Sequence, residues 1–256
     1  MKRKGFTLAE VLITLGIIGV VATLTMPSII NNIQKTILKN QFKKAYSLFS
    51  QGVMQAQVNL GGAVNCSFYK DGRQTCKTKC TNRNEYGSCT AYTCEDGSPL
   101  PQNINGEVNE CGQFEEELFT KTLKTVKFCE KDALTNGCLT NQYKGTDKVR
   151  KEQDSNIDVD PNTGFSDSNI KNKYPTWILS DGILIIKSGP YKSGNPIYAI
   201  DINGHKGPNK WGYDIFIFRL TGDIDGIKNI TDGGNLSPDY SEKGGKTTAQ
   251  MIRDCL

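Results

Sequence analysis

Histidine is nearly absent from this chain: His205 is the single one in 256 residues. That removes the commonest general base and the commonest zinc ligand from all but one position. No G-x-x-x-x-G-K-[ST] phosphate loop, G-x-S-x-G elbow or H-E-x-x-H pair occurs either. His205 sits on a Gly-rich turn with no nucleophile or paired acid patterned around it, so it reads as an exposed loop residue and not as a catalytic one. The residues point to no enzyme. Charge excess is lacking too. The net charge is +4, and Lys2, Arg3 and Lys4 supply three of it, leaving 4 − 3 = +1 for the rest. That is no electrostatic footprint for nucleic acid. With 37% hydrophobic and 23% charged residues, the body is globular in composition.

Charge is scarcest in "FTLAEVLITLGIIGVVATLTM", Phe6 to Met26, where Glu10 is the one ionisable side chain. As a helix rising about 1.5 Å per residue, this stretch spans roughly 31 Å, the thickness of a bilayer core. Basic residues precede it at once and do not return until Lys35, which keeps the N-terminus cytoplasmic. A secretory signal peptide would be followed by a small-residue cleavage site, and no convincing one follows here. A plain membrane anchor explains neither Glu10 nor the Gly5–Phe6 junction.

The stretch "KGFTLAEVLITLGIIGVVATLTMP" resembles the N-terminus of type IV pilins and type II secretion pseudopilins. The resemblance implies that a prepilin peptidase cuts after Gly5 and methylates the new amine of Phe6, leaving 256 − 5 = 251 residues. Phe6 and Glu10 stand one helical turn apart. A carboxylate in an apolar setting needs a cationic partner. That partner is the chain's own new amine or, as the family uses it, a neighbouring subunit's amine, which sets register during assembly. The family often has a proline where Pro27 stands, at which the helix bends or melts in the filament. Read without the resemblance, Pro27 is a membrane exit or a helix break. Gly16, Gly19 and Ala22 permit close helix approach, or reflect the frequency of small residues in membrane helices. The implied partners are the prepilin peptidase, other pilin or pseudopilin subunits and the inner membrane. The implied location is the bacterial inner membrane for the precursor, then a periplasmic or cell-surface filament.

Beyond the apolar segment, Ile30, Ile33, Ile37, Phe42, Ala45, Phe49, Val53, Ala56 and Leu60 recur at steps averaging near helical period. The spacing predicts an amphipathic helix over 28–62, ended by Gly61-Gly62. Its apolar stripe needs a surface, and a sheet from the same chain is the expected one. A coiled-coil partner is the alternative, disfavoured because strict heptads are absent.

Nine cysteines follow: Cys66, Cys76, Cys80, Cys89, Cys94, Cys111, Cys129, Cys138 and Cys255. Cys76-x3-Cys80 and Cys89-x4-Cys94 keep a thiolate zinc site open, but export favours disulfides. The segment 63–155 has few aliphatics, so bridges are expected to hold it. Their connectivity is unreadable. An odd count leaves at least one thiol free or intermolecular, and Cys255 is expected to pair upstream, with Cys129 or Cys138. Within this segment, Cys111 to Cys129 reads as a short amphipathic helix with Phe114, Leu118 and Leu123 on one side. The stretch 156–173 reads as a loop.

"TWILSDGILIIKSG" is a hairpin signal around Asp181-Gly182, a pair favoured in type I′ turns. "PIYAIDI" (196–202) and "YDIFIFRL" (213–220) add two strands. The expected fold is therefore α+β and pilin-like: a long N-terminal helix, its first half transmembrane, on an antiparallel sheet of about four strands, with a disulfide-rich insert. The segments are a leader (1–5), a transmembrane and assembly helix (6–27), an amphipathic helix of the head (28–62), a cysteine-rich insert (63–155), and the sheet with its C-terminal loops (156–256).

Between the third and fourth strands, Asp201, Asn203, Asn209 and Asp214 bring oxygen ligands to a tight loop and make calcium the candidate metal. The spacing departs from the EF-hand pattern. Some G-type pseudopilins bind calcium in a similarly placed loop. The structural alternative has Asp201 and Asp214 accepting backbone N–H bonds in turns. Asp223, Asp225 and Asp232 form a second carboxylate cluster under the same caution. The expected function is a structural filament subunit, pilin or pseudopilin. The alternative is a surface-displayed adhesin or DNA-uptake pilin that recognises its ligand through the cysteine-rich insert.

Overall fold

The computed structural model describes residues 7–62, 64, 78–87, 89–99, 112–188, 196–223, 226–232 and 241–255. Gly5, Phe6, Cys66, Cys76, Cys111 and Asp225 lie outside the described residues. The chain divides into two units, Met1–Asn40 and Gln41–Leu256.

The first unit is helical from Leu8 onward, in a helix α1 that is continuous from Leu8 to Asn59 with Pro27 inside it. Most of its apolar side chains are exposed, Leu8 and Leu24 by about three quarters, while Ala22 and Leu38 are half-buried. Ile30, Ile33 and Ile37 are exposed as well, whereas Phe42, Ala45, Phe49, Val53 and Ala56 are buried. The single stripe expected from Ile30 to Leu60 is thus two. The buried set, Phe42 to Ala56, belongs to the second unit, where a core covers it, and the exposed set, Ile30 to Ile37, belongs to the first.

In the second unit, α1 ends in a Schellman arrangement. Gly62 N–H donates to the Gln57 carbonyl and Gly61 N–H to that of Val58, both glycines having positive φ. The remaining elements are β1 (Thr78–Arg83), β2 (Cys89–Cys94), β3 (Thr125–Cys129), α2 (Thr146–Gln153), β4 (Thr176–Leu179), β5 (Leu184–Lys187), β6 (Ile197–Asp201), β7 (Ile215–Asp223), β8 (Gly226–Asp232) and α3 (Thr248–Cys255). Strands β3 to β8 form one antiparallel meander in sequence order, and β1–β2 is a separate two-stranded sheet. The expected four strands are present as β4 to β7, and β3 and β8 extend the sheet at its two edges.

Both faces of that sheet are buried. One receives α1: Phe42 meets Phe216 edge-on at 4.9 Å and Phe49 meets Tyr198 at 5.5 Å. Gly52 sits where a Cβ would come within 2.6 Å of a Leu123 methyl, so glycine permits the close approach of α1 to the segment before β3. The other face, through Leu184, Ile186, Ala199, Ile215 and Ile217, packs on Tyr143, Phe165, Ile170, Tyr174 and Trp211. This explains why "ILII" and "IFIF" are unbroken apolar runs: alternating residues enter different cores. Residues 156–173 contribute to the second core through buried Phe165 and Ile170, and Asn169–Lys173 is a π-helical turn and not loop.

Other expectations need correction. The helix read over Cys111–Cys129 stops at Thr122, after a π-helical turn Glu117–Thr122, and the rest is β3. The β4–β5 turn is not type I′: Gly182 alone takes a positive φ, 89°, and Leu179 N–H donates to the Ile183 carbonyl, closing a three-residue loop. The stretch with Asp223 and Asp232 is the β7–β8 hairpin. Edge strand β8 is protected by α1, whose Gln57 side chain accepts from Ile227 N–H (2.8 Å) and donates to its carbonyl (3.1 Å).

Disulfides join Cys80 to Cys89 and Cys129 to Cys138, and Cys94 is disulfide-bonded as well. This takes Cys80, Cys89 and Cys94 out of any zinc site. Cys255 does not pair with Cys129 or Cys138: it is a free, buried thiol on α3, because those two close a short loop with each other.

Candidate functional site

The N-terminal helix presents a chemical problem. From Leu8 onward its apolar window has a mean hydropathy of 2.1 and none of it is buried. Water cannot solvate such a surface without cost; lipid or other helices can. Polar groups in that setting must be satisfied within the chain. The threonines are: the hydroxyls of Thr14 and Thr25 donate to the carbonyls of Val11 and Val21, and that of Thr23 to Gly19 and Val20, all at 2.9 Å.

Glu10 is held by Thr7. The Thr7 N–H donates to Glu10 Oε2 at 2.8 Å and its hydroxyl donates to the same oxygen at 2.9 Å. Glu10 N–H contacts the Thr7 hydroxyl oxygen at 3.3 Å. This is a capping box, with Thr7 as N-cap and Glu10 at the third helical position. It serves N–H groups that a helix start otherwise leaves unpaired. Carboxylate oxygen Oε1 takes no hydrogen bond from the described residues. Sequence reasoning assigned Glu10 to an amine, the chain's own or a neighbour's, and missed Thr7. The signal was present as "TLAE", a T-x-x-E directly before an apolar run. Gly16 and Gly19 have no neighbour within 4 Å of where a Cβ would stand, so neither is required by a contact within the chain.

A second group of predicted residues meets in the head. Asp201 Oδ1 accepts from the N–H groups of Asn203 (3.1 Å) and Gly204 (2.8 Å), and its Oδ2 accepts from the Tyr143 hydroxyl at 2.7 Å. Asp214 accepts from Asn209 N–H (2.8 Å) and Lys210 N–H (2.6 Å). Asn203 Nδ2 donates to the Gly207 carbonyl and Asn209 Nδ2 to Gln142 Oε1. Both aspartates are buried. Burial, and next the charge of Asp214, push Asp201 up to about 8; burial raises Asp214 too. Asn203 Oδ1 is buried without a hydrogen-bond donor. The four residues do converge, with the backbone N–H bonds of the structural alternative. As calcium donors they carry two carboxylates and two amide oxygens, so backbone carbonyls or water would complete a shell of six to eight oxygens. Among the described residues no group of three or more His, Cys, Asp or Glu is placed to hold a metal. His205 is exposed, and its Nε2 lies 2.9 Å from the Cys138 carbonyl.

The sequence comparison bears on the helix. Residues 1–26 match the family described as the prokaryotic N-terminal methylation motif. The chain carries a prepilin signature. This is the cleavage and methylation signature of type IV pilins and pseudopilins, which are structural proteins and not enzymes. The motif and the long apolar helix together fit a membrane-anchored precursor. No curated protein and no solved structure matches the chain.

Proposed function

We propose that the chain is a prepilin that becomes a subunit of a type IV pilus or a type II secretion pseudopilus. The observation that carries this is the methylation motif over residues 1–26, coupled to an unburied apolar first part of α1 in which Glu10 is the one ionisable residue up to Met26. In this reading the precursor inserts with Lys2, Arg3 and Lys4 cytoplasmic. The peptidase cuts after Gly5 and methylates Phe6. Then α1 leaves lipid for a bundle of like helices, with Glu10 pairing with a neighbour's amine and Pro27 allowing local unwinding. The head faces outward, and its large cysteine-rich segment suits a minor or specialised subunit. Glu10→Lys tests the assembly role: cleavage is retained while sheared filaments are lost, and filament yield at the wild-type level would overturn it.

The loop at Asp201, Asn203, Asn209 and Asp214 is proposed as a calcium site of the same head. Two buried carboxyl groups, which a cation would keep ionised together, and the unpaired Asn203 Oδ1 favour a cation there. A melting temperature unchanged between calcium and chelator removes this proposal. A second reading, recognition by the cysteine-rich segment, is favoured by the disulfide-closed hairpin β1–β2, which forms its own sheet. Deleting the hairpin and losing ligand binding with assembly intact would support it; losing assembly would count against it.

A further inference from the structure

We propose that Thr7 is the positioning residue for Glu10: it holds one carboxylate oxygen within the chain and thereby aims the other at the incoming amine. The proposal rests on the assembly reading above.

The argument begins with a division of labour inside one carboxylate. Oε2 receives both donors that Thr7 has, the N–H at 2.8 Å and the hydroxyl at 2.9 Å. Oε1 receives none from the described residues. An isolated glutamate on an apolar helix has several rotamers, and in each of them both oxygens are unsolvated in lipid. Two hydrogen bonds to one oxygen select a single arrangement and halve that deficit. Among the described residues they also leave one oxygen unpaired, in a fixed direction. An ammonium group approaching from another chain then completes the carboxylate and does not have to displace the cap. The capping box is thus compatible with both states, before and after the partner arrives. Cleavage after Gly5 leaves the arrangement intact, because the Thr7 N–H and hydroxyl belong to the mature chain.

A helix cap alone is a weaker claim, and chemistry separates the two. Aspartate caps a helix about as well as serine, but it offers Glu10 a carboxylate where threonine offers a donor. Valine keeps the shape of threonine and offers no hydroxyl. Serine keeps the donor. The experiment expresses full-length Thr7→Val, Thr7→Asp, Thr7→Ser and Glu10→Ala in cells that assemble the filament. It measures inserted precursor, mature N-terminus and sheared filament yield. Insertion and cleavage stay at wild-type levels in all four. Thr7→Val and Thr7→Asp lower filament yield about tenfold, the effect of one lost cap-strength interaction, and Thr7→Ser restores it. A Thr7→Asp chain that assembles like wild type would overturn the proposal, because a cap without aim would then suffice. So would Thr7→Val at wild-type yield beside a defective Glu10→Ala. If Glu10→Ala itself assembles normally, the assembly reading fails first, and that outcome is distinct from the other two.

Discussion

The two units of this chain satisfy their polar groups and their apolar surface in opposite ways. In the first, up to Asn40, the described polar side chains of the apolar segment that have a contact find it within four residues, and the apolar surface stays largely uncovered. In the second, local bonds are joined by distant ones: Gln57 is met by Ile227, Tyr143 by Asp201, Trp211 Nε1 by the Lys144 carbonyl. Most of its large apolar side chains are buried, in two cores. A segment built only from local bonds keeps its shape whatever surrounds it, which suits a helix that must exchange lipid for protein. A segment built from distant bonds has one shape or none.

Substitutions can break that contrast. The largest effect is expected at Phe49, which packs on Tyr198. Phe49→Ala should destabilise the head by about 3–5 kcal/mol. Ile33→Ala, at an exposed position of the same helix, should leave the head's denaturant midpoint unchanged. Equal midpoints for the two variants would mean that the helix is one uniform element after all. Next comes the Cys129–Cys138 bridge, buried in the second core: replacing both with serine should cost about 2–4 kcal/mol, read by urea titration under oxidising conditions. Gly204 is similar in size. Its φ is 61° and a Cβ there would meet the Gly182 carbonyl oxygen at 2.1 Å. Gly204→Ala should cost about 1–3 kcal/mol and disturb the turn that serves Asp201.

A pH effect should be confined to the head. Asp201 is raised to about 8 from about 3.9 in the unfolded chain. Its folded form therefore holds a proton that the unfolded form has released. Between pH 4 and pH 8 stability should fall as pH rises, measured by thermal melts in chelator, and Asp201→Asn should flatten the slope. A wild-type slope of the opposite sign would refute the burial account. Smallest of all is the surface pair Lys44–Asp181 at 2.9 Å, where Lys44→Ala should change stability by about 0–1 kcal/mol.

How much of this was legible in the sequence depended on the range of the interaction. The apolar helix, its end at Gly61-Gly62 and the four central strands follow from local pattern, and all are present. The two added strands were missed because "TVKFC" and "GIKNITD" are short and half polar; pairing with β4 and β7 makes them strands, not their own composition. The helical stripe was read as one because its mean step looked right, while what buries it is long-range: only Phe42 to Ala56 meet a core. The second core was hidden because Tyr143, Phe165 with Ile170, and Trp211 come from three separate stretches. The meeting of Asp201 and Asp214 was visible from a shared loop. The partners Tyr143 and Gln142, some 60 residues earlier, were not. Thr7 is the opposite case, a local signal overlooked beside a louder one.

The mature N-terminus tests the central claim most directly. Intact-mass and tandem mass spectrometry of the chain recovered from cells should find it beginning at Phe6 with a methylated amine. A chain that begins at Met1, or one cut after Ala22, would contradict the account.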